Sequence, residues 1–226
     1  MEGMNESCFD ASDLYNELDE WVDDFWTWAK SQKQEYEWET DYEHWPRIYS
    51  VFSKLIETTE PSHWYRKTIN NLLYLIARDH ECTGLIHKVS EKPESLLFLA
   101  QEGLFYPDPD VRWQLAYCLT KISKSYPKAE SIICTFCDDS DEYVRRRATL
   151  ALGSIQSGYA EEKAIAAWKM NLEYQQIAAL EVLKQIESKQ LEHYVKLAAN
   201  SEFKYVRSYA ERIIEEVHKI ANRKKD

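Results

Sequence analysis

Four segments of this chain superimpose on one template. From an anchor position, apolar residues recur at +4, +8 and +11. The first copy is Val111, Leu115, Leu119 and Ile122, the second is Val144, Ala148, Leu152 and Ile155, and the fourth is Val206, Ala210, Ile214 and Val217. A third copy keeps Ala179, Leu183 and Ile186 but has Gln175 at the anchor. The anchors lie 33, 31 and 31 residues apart, and Arg112, Arg145 and Arg207 directly follow them, with Gln176 in the degenerate copy. These offsets fall on one narrow stripe of a 3.6-residue helix, so each copy is expected to be a helix buried on one side. Asp108, Ser140, Asn171 and Ser201 precede the anchors by three to five positions and can cap a helix N-terminus. A fixed period of this size marks an array of helical hairpins, none of which buries its apolar face alone.

Upstream, Pro61 is expected to open a helix in which Tyr65, Ile69, Leu73 and Ile76 make an early copy of the pattern. A connector with a short helix over 80–92 follows, and Pro93 starts the helix paired with the one opened by Asp108-Pro109. Shorter helices near 127–137, 159–169 and 189–199 then alternate with the template helices. Gly (5) and Pro (6) are scarce in the 226 residues, as a helical chain requires.

The formal charge of −11 is concentrated at one end. Residues 1–60 hold 16 Asp/Glu against 4 Lys/Arg, a net of −12, and the remaining 166 hold 23 against 24, a net of +1. Residues 1–10 are expected to be a disordered lead-in. A helix over 11–33 places Leu14, Leu18, Trp21, Val22, Phe25, Trp28 and Ala29 on one face, with Asp19, Glu20, Asp23 and Asp24 opposite or flanking. Asp19/Asp23 and Glu20/Asp24 are like-charge pairs at i,i+4, each costing a few tenths of a kcal/mol. Then acids alternate with mostly aromatic residues from Glu35 to Glu43. Strict alternation is a strand pattern, yet acids form strands poorly, and Trp38, Tyr42, Trp45, Tyr49, Phe52 and Ile56 align at helical spacing. We favour a helix over 34–44 with a break or restart near Pro46, and Thr40-x-x-Glu43 as a candidate capping box.

The segments Asp108-Pro-Asp-Val-Arg-x-x-Leu-Ala-x-x-Leu119 and Asp139-Ser-Asp-Glu-Tyr-Val-Arg-x-x-Ala-x-x-Ala-Leu-Gly153 resemble HEAT repeats of the short variety. The resemblance is good over 94–157, looser to 222 and faint before 80. It implies an all-α fold: a HEAT-like α–α solenoid over 61–226, with an additional acidic, aromatic-rich helical segment over 1–60 packed on it. In that family the second helix of each pair lines the concave side. HEAT-like proteins include scaffolds, inhibitors, a class of DNA glycosylases and some bilin lyases.

Signatures of catalysis are absent. So few glycines leave no phosphate-cradling loop, dinucleotide fingerprint or nucleophile elbow. Cys134-x-x-Cys137 is half of a redox or metal motif on an apolar helix, which we read as packing, like Cys118. His80-x-Cys82-x4-His87 has ligand-like spacing without a fourth ligand. We therefore expect no catalytic residues, no metal and no cofactor. No run approaches the ~18 apolar residues of a membrane helix, and the first residues lack a secretory pattern. The expectation is a cytoplasmic protein without a membrane partner.

Positions +2, +6 and +9 point away from each core stripe. They are Trp113, Tyr117 and Thr120; Arg146, Leu150 and Gly153; Ile177, Glu181 and Lys184; Ser208, Arg212 and Glu215. Either neighbouring helices cover the large apolar members, or these line a partner groove. Arg145-Arg146-Arg147 could meet phosphate, but nearby Asp138, Asp139, Asp141 and Glu142 favour an internal ion network.

The functional expectation is a protein-binding module that neutralises a basic partner. Its acidic, aromatic N-terminal quarter would offer carboxylates in place of phosphates and rings in place of bases. Small acidic proteins of this kind resemble bacterial immunity proteins, which inhibit a toxin such as a nuclease. The expected partner-binding residues are Asp19, Glu20, Asp23, Asp24, Trp113, Tyr117, Arg146, Leu150, Ile177 and Glu181. The alternatives are a HEAT-like DNA glycosylase, against which the acidic charge argues, and a general interaction scaffold.

Overall fold

The computed structural model describes residues 11–33, 35 and 37–223, with side chains through 216. The expected lead-in over 1–10, the side chain of Val217, and Lys224 and Lys225 lie outside the described residues. Within them the chain is all-α, with twelve α-helices and no strand. It divides into two compact units, 1–118 and 119–226.

In the first unit α1 (Ala11–Ala29) packs on α2 (Trp45–Thr58) and α3 (Arg66–Arg78). The helices α4 (Gly84–Ser90), α5 (Pro93–Glu102) and α6 (Pro109–Leu119) follow. Leu14, Leu18, Val22, Phe25 and Ala29 are the buried stripe of α1. Among its described residues the segment between α1 and α2 holds neither α-helix nor strand. A short 3-10 turn, Trp38–Asp41, is entered through Glu37 at φ 54°, and α2 restarts with Pro46 in its first turn. The expected capping box is not formed: the Thr40 hydroxyl donates back to the Glu37 carbonyl at 2.7 Å, and no side chain caps α2. Tertiary contacts override local pattern here. Glu39 turns inward to pair with Arg78 at 3.2 Å, and Trp45 Nε1 donates to the Glu39 carbonyl at 2.7 Å. Pro61 opens only a 3-10 turn, after which α3 buries Ile69, Leu73 and Ile76 but leaves Tyr65 68% exposed.

The second unit alternates outer helices α7 (Lys128–Phe136), α9 (Ala160–Lys169) and α11 (Leu191–Ala198) with inner helices α8 (Glu142–Ser154), α10 (Glu173–Gln185) and α12 (Lys204–Arg223). The inner helices stack α8 on α10 and α10 on α12, and each also packs on its outer partner. Val144, Ala148, Leu152, Ala179 and Leu183 are fully buried at their template positions. A buried leucine of this kind contributes about 1.5–3 kcal/mol. Gly153 lets α8 approach α10 closely, since a Cβ there would sit 2.9 Å from Val182 Cγ2. The last copy departs from the template: Ile213 at +7 is buried at 3%, and Ile214 at +8 is 37% exposed.

The arginine after each anchor ties down the preceding loop. Arg145 Nη1 donates to the carbonyls of Asp139 at 2.7 Å and Ser140 at 2.9 Å. Arg207 Nη1 makes the same pair to Ser201 at 2.6 Å and Glu202 at 2.9 Å. In the first unit, Arg112 Nη1 reaches Tyr106 and, at 3.0 Å, Pro107. Gln176 replaces this fork with one bond to Asn171 Oδ1 at 3.1 Å.

The helix ends repeat as well. Asp108 accepts from the Asp110 amide at 2.9 Å, as a capping side chain should, whereas Ser201 accepts from the Phe203 amide at 3.2 Å, ahead of the first residue of α12, Lys204. None of the other three expected residues stands at the N-cap of its helix. Asp141, not Ser140, caps α8 through the Val144 amide at 3.1 Å, while Leu172 stands at the N-cap of α10. At the other ends Gln156 and Glu187 take left-handed conformations, φ 55° and 51°. The next amides, Ser157 and Ser188, donate five residues back to Leu152 and Leu183, closing Schellman-type turns. The Ser157 and Ser188 hydroxyls then donate to Glu130 and Glu161 on the preceding outer helices.

Candidate partner-binding surfaces

The carboxylates of α1 separate into two kinds. Asp19 is a half-buried anchor that pairs with Lys67 at 2.8 Å and accepts from Asn71 Nδ2 at 2.6 Å. Asp24 accepts from the Tyr42 hydroxyl at 2.5 Å, and burial together with that carboxylate pushes the Tyr42 phenol far above its ordinary value. Both acids therefore tie α1 to neighbouring segments, a benefit their like-charge spacing conceals. Glu20 and Asp23 are exposed, as are Asp13, Glu17, Asp41 and Glu43. They form the solvent-facing acidic surface of the first unit.

The tryptophans of this quarter pack inward. Phe25 is the hub, with ring centroids of Trp28, Tyr42, Trp45 and Tyr74 at 5.5, 4.8, 5.3 and 6.0 Å. Trp28 stacks on Trp38 at 5.6 Å, and Trp64 is buried with Nε1 donating to Thr59 Oγ1 at 2.8 Å. Trp26 alone among the described tryptophans of this region is exposed, with Lys30 Nζ 3.2 Å from its ring centroid. The expected mimicry of stacked bases is thus corrected to aromatic core packing, worth about 0.5–1.5 kcal/mol per ring pair beyond burial. On α6 Trp113 is half-buried, its Nε1 donating to Asp110 at 3.4 Å, and Tyr117 is 44% exposed.

In the second unit Arg146, Leu150, Ile177 and Glu181 are half-buried on the inner helices α8 and α10. Arg146 is occupied: Nε lies 3.4 Å from Glu142, and its guanidinium sits over the rings of Tyr143 at 4.8 Å and Tyr174 at 5.0 Å. Glu181 accepts from the Tyr209 hydroxyl and lies 3.5 Å from Lys184, which also reaches Glu216 at 3.3 Å. Of the ion network expected around Arg145-Arg146-Arg147, the pair between Arg146 and Glu142 is formed. Arg145 bonds main-chain carbonyls, while Asp139 and Asp141 accept from amides and Asp138 pairs with Lys163 at 2.7 Å.

Position −1 of the template was missed by the stripe analysis. It is Tyr143, Tyr174 and Tyr205 in the last three copies, at intervals of 31 and 31 residues. All three are exposed, at 39%, 52% and 57%. Positions −1, +2 and +6 follow one another along a helix face, so each tyrosine extends the outward stripe by one turn. A groove of about 650 Å³ runs beside the last two, lined by Tyr174, Ile177, Tyr205, Tyr209 and Arg212 among others. The recurrence of a tyrosine before the last three anchors was the available signal.

Cys137 is buried and accepts a 3.8 Å contact from the Thr149 hydroxyl, and burial pushes its thiol up to about 12. Burial also raises the Cys134 thiol. Both favour the neutral thiol, which suits packing rather than nucleophilic or metal-ligating chemistry. Among the described residues no group of three or more His, Cys, Asp or Glu is placed to hold a metal ion. No described helix is long and apolar enough to cross a membrane.

These features define an all-α protein of HEAT-like helical pairs that carries exposed, chemically distinct surfaces on each unit. A family model of HEAT repeats matches residues 102–176. No curated protein matches the chain. HEAT repeats are in general protein-interaction elements.

Proposed function

We propose that this chain is a non-catalytic protein-binding module that captures and inhibits a basic partner, in the manner of an immunity protein acting on a toxin nuclease. The observation that carries this reading is the solvent-facing acidic surface of α1. Glu20 and Asp23 stay exposed beside Asp19 and Asp24, which have structural partners. Charges held in solvent at a stability cost suit long-range attraction of a cation, which raises association rate more than affinity. The expected protein and cytoplasmic setting accompany this reading. Catalysis on nucleic acid is the less favoured alternative because Arg146 is engaged by Glu142 and two tyrosine rings, and Arg212, in the groove lining, stands among Glu211 and Glu215.

The test is binding to a lysine-rich peptide and to a DNA duplex, each at low and physiological salt. The proposal expects salt-sensitive peptide binding that Glu20→Gln with Asp23→Asn weakens several-fold, and no duplex binding. Tighter binding to the duplex than to the peptide would reverse the assignment in favour of a nucleic-acid function.

A further inference from the structure

Two rings on the first unit are more exposed than any other large apolar side chain among the described residues. Phe105 is 89% exposed and Tyr65 is 68% exposed, whereas Phe25, Phe52 and Phe136 are fully buried. One ion pair joins the places where the two rings stand. Arg66, directly after Tyr65, pairs with Glu102, three residues before Phe105. A groove of about 490 Å³ lies beside Phe105, with Asn70, Glu102, Tyr106, Pro107 and Asp108 in its wall.

The turn that carries Phe105 is fastened on both sides. Gly103 packs so closely that a Cβ there would sit 2.5 Å from Leu115 Cδ1. The Tyr106 amide donates to the Gly103 carbonyl at 3.1 Å, and Arg112 holds the carbonyls of Tyr106 and Pro107. Asp108 is held in turn by Arg78. The ring is thus presented to solvent by a fixed backbone, and a preorganised aromatic side chain has little ordering cost left on docking.

The charge beside these rings decides what can dock. Glu102 and Asp108 are each paired with an arginine, so the groove itself supplies little net field. The field comes from α1, which holds six carboxylates and no lysine or arginine. Its tie to α3 runs through the same region. Lys67 and Asn71 bind Asp19, the neighbouring Asn70 lines the groove, and Tyr15 meets the Tyr65 ring edge-on at 5.6 Å. The bond to Asp19 raises the Lys67 ammonium above its ordinary value, and exposed Asp23 adds to this through space. Such a surface repels phosphate backbones and attracts cationic protein. Interfaces commonly set a charged surround about an apolar centre.

We propose that this edge of the first unit docks a basic segment of the partner protein, its lysines or arginines along α1 and an apolar side chain seated at Phe105 and Tyr65. The inference rests on the basic-partner reading and adds the apolar anchor to it. The α1 acids speed encounter, and the two rings slow release.

The test is a fluorescence-anisotropy titration of the whole chain with three labelled peptides. The first has a central Leu-Leu between two flanks of four lysines, the second has Ser-Ser at the centre, and the third has Leu-Leu between glutamates. The Leu-Leu lysine peptide is expected to bind ~10-fold tighter than the Ser-Ser one, and the glutamate peptide not to bind. Phe105→Ala is expected to abolish the leucine preference and to melt normally, since the lost ring is exposed, while Phe105→Trp retains both. Tyr65→Ala should reduce the preference ~3-fold. Glu20→Gln with Asp23→Asn should weaken both lysine peptides alike, and Tyr159→Ala, exposed in the second unit, should change neither.

Equal, salt-sensitive binding of the two lysine peptides would overturn the anchor and leave the α1 reading standing. Glutamate-flanked binding as tight as lysine-flanked, or no saturable binding of either lysine peptide, would overturn both. A Phe105→Ala variant that melts normally and keeps the leucine preference would also overturn the proposal. So would sedimentation showing a dimer that Phe105→Ala dissociates, because the occupant would then be a second copy.

Discussion

The guanidinium of Arg145 donates to the main-chain carbonyl of Asp139, six residues earlier, while the Asp139 carboxylate accepts from the Asp141 amide at 2.8 Å. One residue is thus held from both ends, its backbone by the arginine and its side chain by the helix entrance. Arg112 and Arg207 make the corresponding paired bonds in their own copies. Arg145→Ala is expected to cost about 1.5–3 kcal/mol, the range for hydrogen bonds involving a charged group. Arg145→Lys should recover little, because an ammonium on a flexible stem does not reproduce the planar fork. Urea unfolding of the two variants checks this, and equal stability of lysine variant and parent would show the loop needs only a charge.

Core positions should separate sharply from their neighbours. Leu119→Ala and Leu152→Ala are each expected to destabilise by about 2–5 kcal/mol, as both are fully buried. In the last helix the loss should follow Ile213 rather than Ile214. Thermal melts showing Ile214→Ala as the costlier change would restore the original register.

Two glycines give an internal control on packing. At Gly153 a new methyl meets Gln185 Oε1 at 2.7 Å and Val182 Cγ2 at 2.9 Å, whereas at Gly158 nothing lies within 4 Å. Gly153→Ala is expected to cost about 1–3 kcal/mol. Gly158→Ala should be neutral or stabilising by up to about 1 kcal/mol, since no glycine here has positive φ. Calorimetry of both variants distinguishes close helix approach from mere helix propensity.

The α1 carboxylates should divide by experiment as they do in space. Asp19→Asn and Asp24→Asn are expected to lower stability by about 1 kcal/mol each through lost bonds to Lys67, Asn71 and Tyr42. Glu20→Gln with Asp23→Asn should leave the melting temperature unchanged or slightly higher, since like-charge repulsion is relieved. A large drop in that double variant would mean these two acids are structural as well.

Alkaline pH should weaken the second unit through Cys137. Its folded thiol titrates near 12 against an ordinary 9.0, because burial disfavours the thiolate. The folded value lies above the unfolded one, so the stabilisation is complete below pH 9 and is lost as pH rises through 12. Cys137→Ala should flatten that part of the stability profile. In the native protein, alkylation followed by mass spectrometry should mark exposed Cys82 well before Cys137 or buried Cys118.

The helical array was legible because its stripe repeats, and the buried Leu119, Leu152 and Leu183 follow it. The last copy was misread where Ile213 and Ile214 are adjacent, since a stripe of 0, +4, +7 fits a helix as well as 0, +4, +8. Side-chain pattern also hides any partner that is backbone, so the carbonyls bound by Arg145 could not be named in advance. Long-range partners were equally invisible. Glu39 looked like surface within an acidic run, and only Arg78, 39 residues away, makes it a buried ion. The expected surface positions Arg146, Leu150, Ile177 and Glu181 lie half-buried on the inner helices. The tyrosines at −1 lay just outside the window that the core stripe defined.

The bonds from Ser157 to Glu130 and from Ser188 to Glu161 each close a helical pair on itself, as the arginine fork does at its other end. A pair therefore carries fastenings of its own, beside the bonds between pairs such as Tyr209 to Glu181 and Lys184 to Glu216. Gene duplication can copy such a block whole, with its tyrosine included. The surface of the inner helices then lengthens in steps of one helical pair, and its area can grow before any single contact has to improve.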